Sequence, residues 1–396
     1  MSRVSVRKRT WTGRDGESRT AWVVDWFDPS GRRRRKQFTR RKDADAHRVK
    51  IEGEMAGGTY RAGAAEKTLA NLAADYLKAC VGRSERGERF TRHHLATVRG
   101  HVENHILHDE HGIGGVRLDR LSTGLVSDFR DRLRTGGLTV ATTRKVLSTL
   151  ALMLDYARGS DMLAVNVARG VKVIGRRDEG SRKITPPSKD AMRALIAAAD
   201  PDFRVRLVFA AATGVRAGEL HALRWRHLDF DNGEVRIESR VDAYGEEDTT
   251  KTAAGVREIP LSAALVKDLK AWRVRSPYSK ASDLVFPNRK GAYEGHANMV
   301  KRRFNPACEA AGLGAHVAAG EDEQGQPVTR FKPSINWHTL RHFAVSTWIE
   351  AGLSPKTVQT FAGHSSLQVT MDRYGHMFPQ DEHRAAMDAI AGEIFG

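Results

Sequence analysis

The period of apolar and polar positions changes along this chain. Around Trp22, Val24, Trp26 and Phe38 apolar side chains alternate with polar ones, as in strands that bury one face, with Gly-containing turns at 13–16 and 29–31. A short helix is expected over about 42–54. From Thr68 the period lengthens: Leu69, Leu72, Ala73, Tyr76, Leu77 and Cys80 fall on one stripe of an amphipathic helix. Leu95, Val98, Val102 and Ile106 mark a second helix. Leu125, Val126, Phe129 and Leu133 mark a third, with Ser122 as N-cap, and Val146, Leu147, Leu150, Leu154 and Ala157 mark a fourth that stops at Gly159. The pattern predicts a β-rich unit over 1–60 and a four-helix unit over 66–174.

The stretch GRRDEGSRKITPP, 175–187, is charged and ends in two prolines, as an interdomain linker would. A third domain, 188–396, opens with helical patterns at 189–199 and 203–212 that end at Thr213-Gly214. Asn232-Gly233, between LDF and VRI, predicts a hairpin, and a second turn around Lys251 to Gly255 leads into VREIPL. The remainder reads as mainly helical, except 320–333, expected as an extended loop or hairpin. A length of 396 residues accommodates these domains.

Charge narrows the partner. The chain carries 65 Lys and Arg against 48 Asp and Glu, a formal +17, which points to a polyanion, nucleic acid first. Residues 1–60 hold 16 basic and 8 acidic residues, a net of +8. Arg32, Arg33, Arg34, Arg35 and Lys36, expected on the second turn of this module, are the candidate contacts to a DNA backbone. No apolar run could span a bilayer and the N-terminus has no signal-peptide core, so a cytoplasmic, DNA-associated protein with no membrane partner is expected. Cys80 and Cys308 belong to no C-x-x-C pair, so free thiols are expected. His94, His101, His105 and His108 share a sector of the second helix without a carboxylate or thiolate beside them; a polar flank of the core fits them better than a metal site.

Five motifs in the third domain suit chemistry at a phosphodiester: TGVRAGELHALRW (213–225), DTTKTAAGVREIPL (248–261), WHTLRH (337–342), FAGHSS (361–366) and MDRYGH (371–376). Planar guanidiniums clamp two non-bridging oxygens, the role suited to Arg216 and Arg341. Lys251, on a hairpin tip, can protonate a leaving oxygen, and His338, expected on the helix of Arg341, can exchange a proton with the nucleophile. Glu219, three residues after Arg216, can support a neighbouring group.

In this order and spacing the motifs resemble the tyrosine recombinases, the phage integrase family. The resemblance spans the whole chain and places Arg216, Lys251, His338, Arg341, His364 and Tyr374 at the family's catalytic positions. It implies a multidomain α+β fold: a small β-rich arm-site-binding module, a four-helix core-binding domain, and a mainly helical catalytic domain with a small β-sheet. It also implies a DNA strand transferase in which Tyr374 attacks the scissile phosphate, leaving a 3′-phosphotyrosyl enzyme and a free 5′-hydroxyl. The cationic site is expected to favour the ionised phenol as the bond to phosphorus develops, and no metal or other cofactor is called for. The implied partners are double-stranded attachment-site DNA, a homotetramer assembled on it, an excision factor and a host DNA-bending protein. Ala362 departs from the family's usual leucine, NVARG (166–170) lacks the usual proline after Asn, and 318–333 reads as an insertion.

The basic first module favours an integrase of a prophage or integrative element, of bacterial or phage origin. The alternatives are a cellular recombinase that resolves chromosome dimers and, from another class, a DNA-binding regulator without catalysis. The tail, with Met387, Ile390 and Ile394 at helical spacing, suits docking on a neighbouring protomer or packing on its own domain.

Overall fold

The computed structural model describes residues 4–29, 31–64, 66–88, 90–176, 179, 184–249, 255–322, 324–378 and 382–395. The chain divides into two units, Met1–Gly180 and Ser181–Gly396.

The first unit opens with an antiparallel sheet of β1 (Ser5–Thr12), β2 (Ser18–Phe27) and β3 (Arg33–Phe38), followed by α1 (Arg41–Ala56). Alternation along β2 sends Val24 and Trp26 into a small core with Ala44, Ile51 and Tyr60, where Trp26 Nε1 donates to the Tyr60 hydroxyl at 2.8 Å. The same alternation governs the basic run. Only Arg32 lies in the turn; Arg33 to Lys36 form β3, so successive side chains face opposite ways. This corrects the expected placement on the second turn: the register pairs these residues with β2 as soon as the turn is complete, from Arg33 opposite Phe27 onwards. Arg33 and Arg35 donate to Asp25, which Arg7 of β1 also meets. Arg34 instead bonds Asp28 and Glu66, and Lys36 lies over the Phe38 ring. Burial of Asp25 opposes its charge, but the bonds from Arg35 and Arg33 hold its pKa below the ordinary value.

The four expected helices are α2 (Leu69–Glu85), α3 (Arg92–His101), α4 (Thr123–Thr135) and α5 (Val140–Gly159). Thr68, Thr91, Ser122 and Thr139 each cap a helix by accepting a backbone N–H three residues on. Leu72, Ala73, Val98, Phe129, Val146 and Leu150 lie in one core. The second helix is not α-helical throughout: Val102–Ile106 is a π-helical turn closed by Leu107 N donating to Val102 O at 2.8 Å. The wider turn keeps both Val102 and Ile106 fully buried. Of the histidine stripe, His101 Nδ1 meets the Thr149 hydroxyl at 2.8 Å and the His108 ring stacks on that of His111. Asn166, in NVARG, donates to the Ala151 carbonyl and the Asp155 carboxylate.

The second unit begins with α6 (Lys189–Ala198), α7 (Pro201–Thr213) and the short α8 (Ala217–Ala222). Next come β4 (Leu228–Asp229) and β5 (Glu234–Ile237), joined through Asn232-Gly233, then β6 (Ser239–Val241), β7 (Glu247–Thr249) and β8 (Arg257–Pro260). Strands β4, β5 and β8 form one antiparallel sheet and β6 and β7 a separate hairpin. Helices α9 (Ala263–Arg275), α10 (His296–Met299) and α11 (Asn305–Ala310) lead to the hairpin of β9 (Gly314–Glu321) and β10 (Pro327–Pro333), longer than the insertion expected there. The chain closes with α12 (Thr339–Glu350), α13 (Pro355–Ala362), α14 (Leu367–Tyr374) and α15 (Glu382–Phe395). On α15, Met387, Ile390 and Ile394 are exposed.

Cys80 and Cys308 are both free and buried. Among the described residues no helix is long and apolar enough to cross a membrane.

Candidate active site

Two helix ends organise the site. α7 and α13 both terminate at a glycine in the left-handed region, Gly214 (φ 58°) and Gly363 (φ 62°), where a side chain would be strained. A Cβ would also crowd each: at Gly214 it would lie 3.1 Å from Ala344 and Trp348, at Gly363 2.9 Å from the Arg257 guanidinium. These turns deliver Arg216 and His364 immediately after them.

Three guanidiniums converge on the C-terminus of α13. Arg257 Nε donates to the Phe361 carbonyl at 2.7 Å, Arg341 to the Ala362 carbonyl, and Arg216 to the Gly363 carbonyl at 2.8 Å. Helix-end carbonyls lack partners of their own and carry partial negative charge, so they hold cations in place without neutralising them. Arg341 also donates to the Gly214 carbonyl at 2.8 Å and thereby joins the ends of α7 and α13 to its own helix.

Glu219 is the carboxylate among them. It accepts from the Arg216 backbone N–H and guanidinium, each at 2.8 Å, and from Arg257 at 2.7 and 3.2 Å. Burial opposes its charge, yet Arg257 and Arg216 hold its pKa at about 2. Arg216 keeps 41% of its side chain exposed, whereas Arg257 is at 1%. The first therefore faces an open space and the second braces it.

That space is a cleft of about 430 Å³ lined by Arg216, Arg240, Arg341 and Arg373, by His338 and His364, and by Glu219. His338 is not within the arginine helix, as the spacing suggested, but stands at the position just before its first residue, with no capping bond from its side chain. Burial, then His342 and the arginines, lower its pKa to about 4. Burial, Arg341 and Arg216 bring His364 to about 3, and its Nδ1 meets the Thr370 hydroxyl at 2.9 Å. Both imidazoles are neutral at pH 7.

Tyr374 ends α14 and is only 1% exposed, packed with Val345, Ile349, Val358 and Ala362 behind the cleft wall. Its ring stacks on His364 at a centroid distance of 6.2 Å, and its hydroxyl meets Nδ1 of His342 at 2.6 Å. Burial raises its pKa above the ordinary value and outweighs Arg341 and Arg373, which pull it down. Without DNA the phenol is therefore kept protonated, while Arg341 and Arg373 pull in the direction of ionisation.

The structure thus brings Arg216, Glu219, His338, Arg341 and His364 to one cleft with Tyr374 behind it. Lys251 lies outside the described residues. Arg257 was missed, although its place two residues before buried Ile259 put it on the apolar side of β8. His342 was missed as well, although it follows His338 by four residues, one helical turn, in WHTLRH. Arg32 to Lys36 belong to the other unit.

Residues 188–381, which contain the whole constellation, match the phage integrase family. This domain is that of a tyrosine recombinase. A tyrosine recombinase XerC-like protein of Caldanaerobacter subterraneus subsp. tengcongensis is 24% identical over 378 residues, covering 90% of this chain and 92% of its own. In fold, the recombinase is similar to the Tn1549 transposon integrase in complex with transposon right end DNA. That match has a TM-score of 0.63 and 19% identity, covering 82% of this chain and 100% of the other. A lambda integrase tetramer bound to a Holliday junction matches with a TM-score of 0.54 and 16% identity, covering 90% and 95%.

Proposed function

We propose that this recombinase integrates or excises a prophage or integrative element, cutting and rejoining duplex DNA through a 3′-phosphotyrosyl intermediate on Tyr374. The observation that carries the reading is the cleft itself: four arginines and two neutral imidazoles surround one carboxylate, and that carboxylate is already committed to Arg216 and Arg257. A site with this excess of positive charge suits a phosphodiester.

In the proposed mechanism Arg216 and Arg341 hold the non-bridging oxygens of the scissile phosphate and stabilise the charge that spreads over them during displacement. Burial and Arg216 lower the pKa of Arg341 to about 9, so it is still charged at pH 7, and a bound phosphate relieves the repulsion between the two. Lys251 gives a proton to the departing 5′-oxygen, and His364 lies against the nucleophile's ring. Because these side chains supply the positive charge, the mechanism calls for no metal. The phosphotyrosyl bond retains the energy of the broken phosphodiester, so a 5′-hydroxyl from a second duplex can reverse the step. Exchange between two duplexes in this way fits four protomers, and the tetrameric lambda integrase of similar fold supports that assembly.

Duplex DNA flanking the gene, nicked so that the cleaved end diffuses away, should trap the protein on the 3′-phosphate in an SDS-resistant adduct. No adduct on any flanking sequence would overturn the reading.

Resolution of chromosome dimers is the second reading, supported by the XerC-like relative. The first sheet favours an element integrase: β-strand alternation sets Arg33 and Arg35 beside Arg7, around Asp25, a basic surface suited to a second class of DNA site. Deleting 1–60 should leave cleavage of a short core site intact and flatten the salt dependence of binding to long attachment DNA, by about 0.9 in the log–log slope for each phosphate that is no longer neutralised. An unchanged slope, with unchanged recombination, would refute a role in DNA binding.

A further inference from the structure

A phenol of raised pKa is a poor nucleophile unless a base takes its proton. The hydroxyl of Tyr374 lies 2.6 Å from Nδ1 of His342, which is half-buried on α12. His338, one turn earlier and on the cleft wall, meets the His342 ring edge-on at a centroid distance of 4.9 Å. We propose that His342 is the base that accepts the Tyr374 proton during attack on the phosphate, an assignment that rests on the phosphotyrosyl reading above.

The other imidazoles are placed for different work. His364 turns a ring face towards Tyr374, 18° from parallel, and has its Nδ1 on Thr370. His338 contacts His342 through its ring. The groups that act on His342 are Arg341 on its own helix and Arg373 and Tyr374 on α14; burial first, then the two arginines, lower its pKa. It is therefore neutral at pH 7, and with its proton on Nε2 it offers the Nδ1 lone pair to the phenol.

Atoms and charge are conserved through the step. The Tyr374 O–H bond breaks and its proton goes to Nδ1; the phenolic oxygen bonds phosphorus; the P–O5′ bond breaks, and the 5′-oxygen takes a proton from Lys251. Religation reverses each transfer. The transfer accompanies movement of the oxygen from Nδ1 towards the phosphate, so a phenolate rather than a phenol reaches Arg216 and Arg341. Burial and the arginines Arg341 and Arg373 make the resulting imidazolium more acidic than an ordinary one, so it returns the proton readily when the 5′-hydroxyl attacks.

The test compares wild type and His342→Asn in single-turnover cleavage of a nicked duplex with sulfur at the bridging 5′ position, where the leaving group needs little help from an acid. Asparagine keeps a hydrogen-bond acceptor near the hydroxyl but takes up no proton. Expected for wild type is an acid limb of unit slope, with its midpoint below the ordinary histidine value of about 6.5. The variant should bind DNA normally, cleave roughly 10²- to 10³-fold more slowly, and show a rate that goes on rising through pH 8 without levelling off at that midpoint. Wild-type cleavage with no limb between pH 4.5 and 8 overturns the proposal whether or not the variant folds. So does a variant that cleaves as fast as wild type or faster, or one that keeps the limb, which would place it on His338 or His364. Absence of any adduct with wild type would instead count against the phosphotyrosyl reading.

Discussion

Tyr374→Phe should bind its DNA and form no covalent adduct, a loss of activity below detection. The substitution removes one oxygen. The ring that packs with Val345, Ile349 and Val358 stays in place, so α14 and the cleft should remain ordered. The lost bond to His342 leaves Nδ1 without that partner, at a cost of roughly 1–3 kcal/mol, less than the roughly 5–15 kcal/mol by which a domain is stable. The assay is a denaturing gel after incubation with nicked duplex, beside a binding measurement on intact duplex. Adduct from the Phe variant would assign the nucleophile to another residue and remove the basis of the mechanism.

The second large effect separates acid catalysis from charge stabilisation. Lys251→Ala should slow cleavage of ordinary DNA by about 10²- to 10⁴-fold, because an alkoxide leaves poorly without a proton. Sulfur in place of the bridging 5′-oxygen yields a thiolate, and most of the defect should disappear. Arg216→Ala and Arg341→Ala should be slowed to a similar degree on both substrates, since charge on the non-bridging oxygens is unaffected by that sulfur. Arg341→Ala carries a structural component as well. It frees the carbonyls of Gly214 and Ala362, so Arg341→Lys is the variant to set beside it. Equal rescue of all three alanine variants, or rescue of none, would show that Lys251 is not the proton donor.

Legibility varied with the range of the interactions involved. The helices of the first unit could be read because their signals are local: apolar stripes at helical spacing, and cap residues such as Thr68 and Ser122 that bond a backbone N–H three positions away. Gly214 and Asn232-Gly233 could be read for the same reason, since their conformations depend on their own side chains or lack of one. The basic run was legible as charge but not as surface. Which acidic partners Arg33 and Arg34 meet on their opposite faces depends on the strand register with β2, which is set across the sheet.

The amino-acid sequence by itself determined a set of candidate residues and the order in which they occur: Arg216, Lys251, His338, Arg341, His364 and Tyr374, each in a short motif with its own chemical character. The tertiary structure decided which groups touch. Three carbonyls at the end of α13 gather arginines from positions as far apart as 216, 257 and 341, and no local pattern records a contact between a carbonyl and a guanidinium 147 residues away. Burial was decided there too. Tyr374 stands among polar neighbours in MDRYGH, yet packing between α12, α13 and α14 removes it from water and keeps its proton on, because desolvation depends on everything that surrounds a group in space.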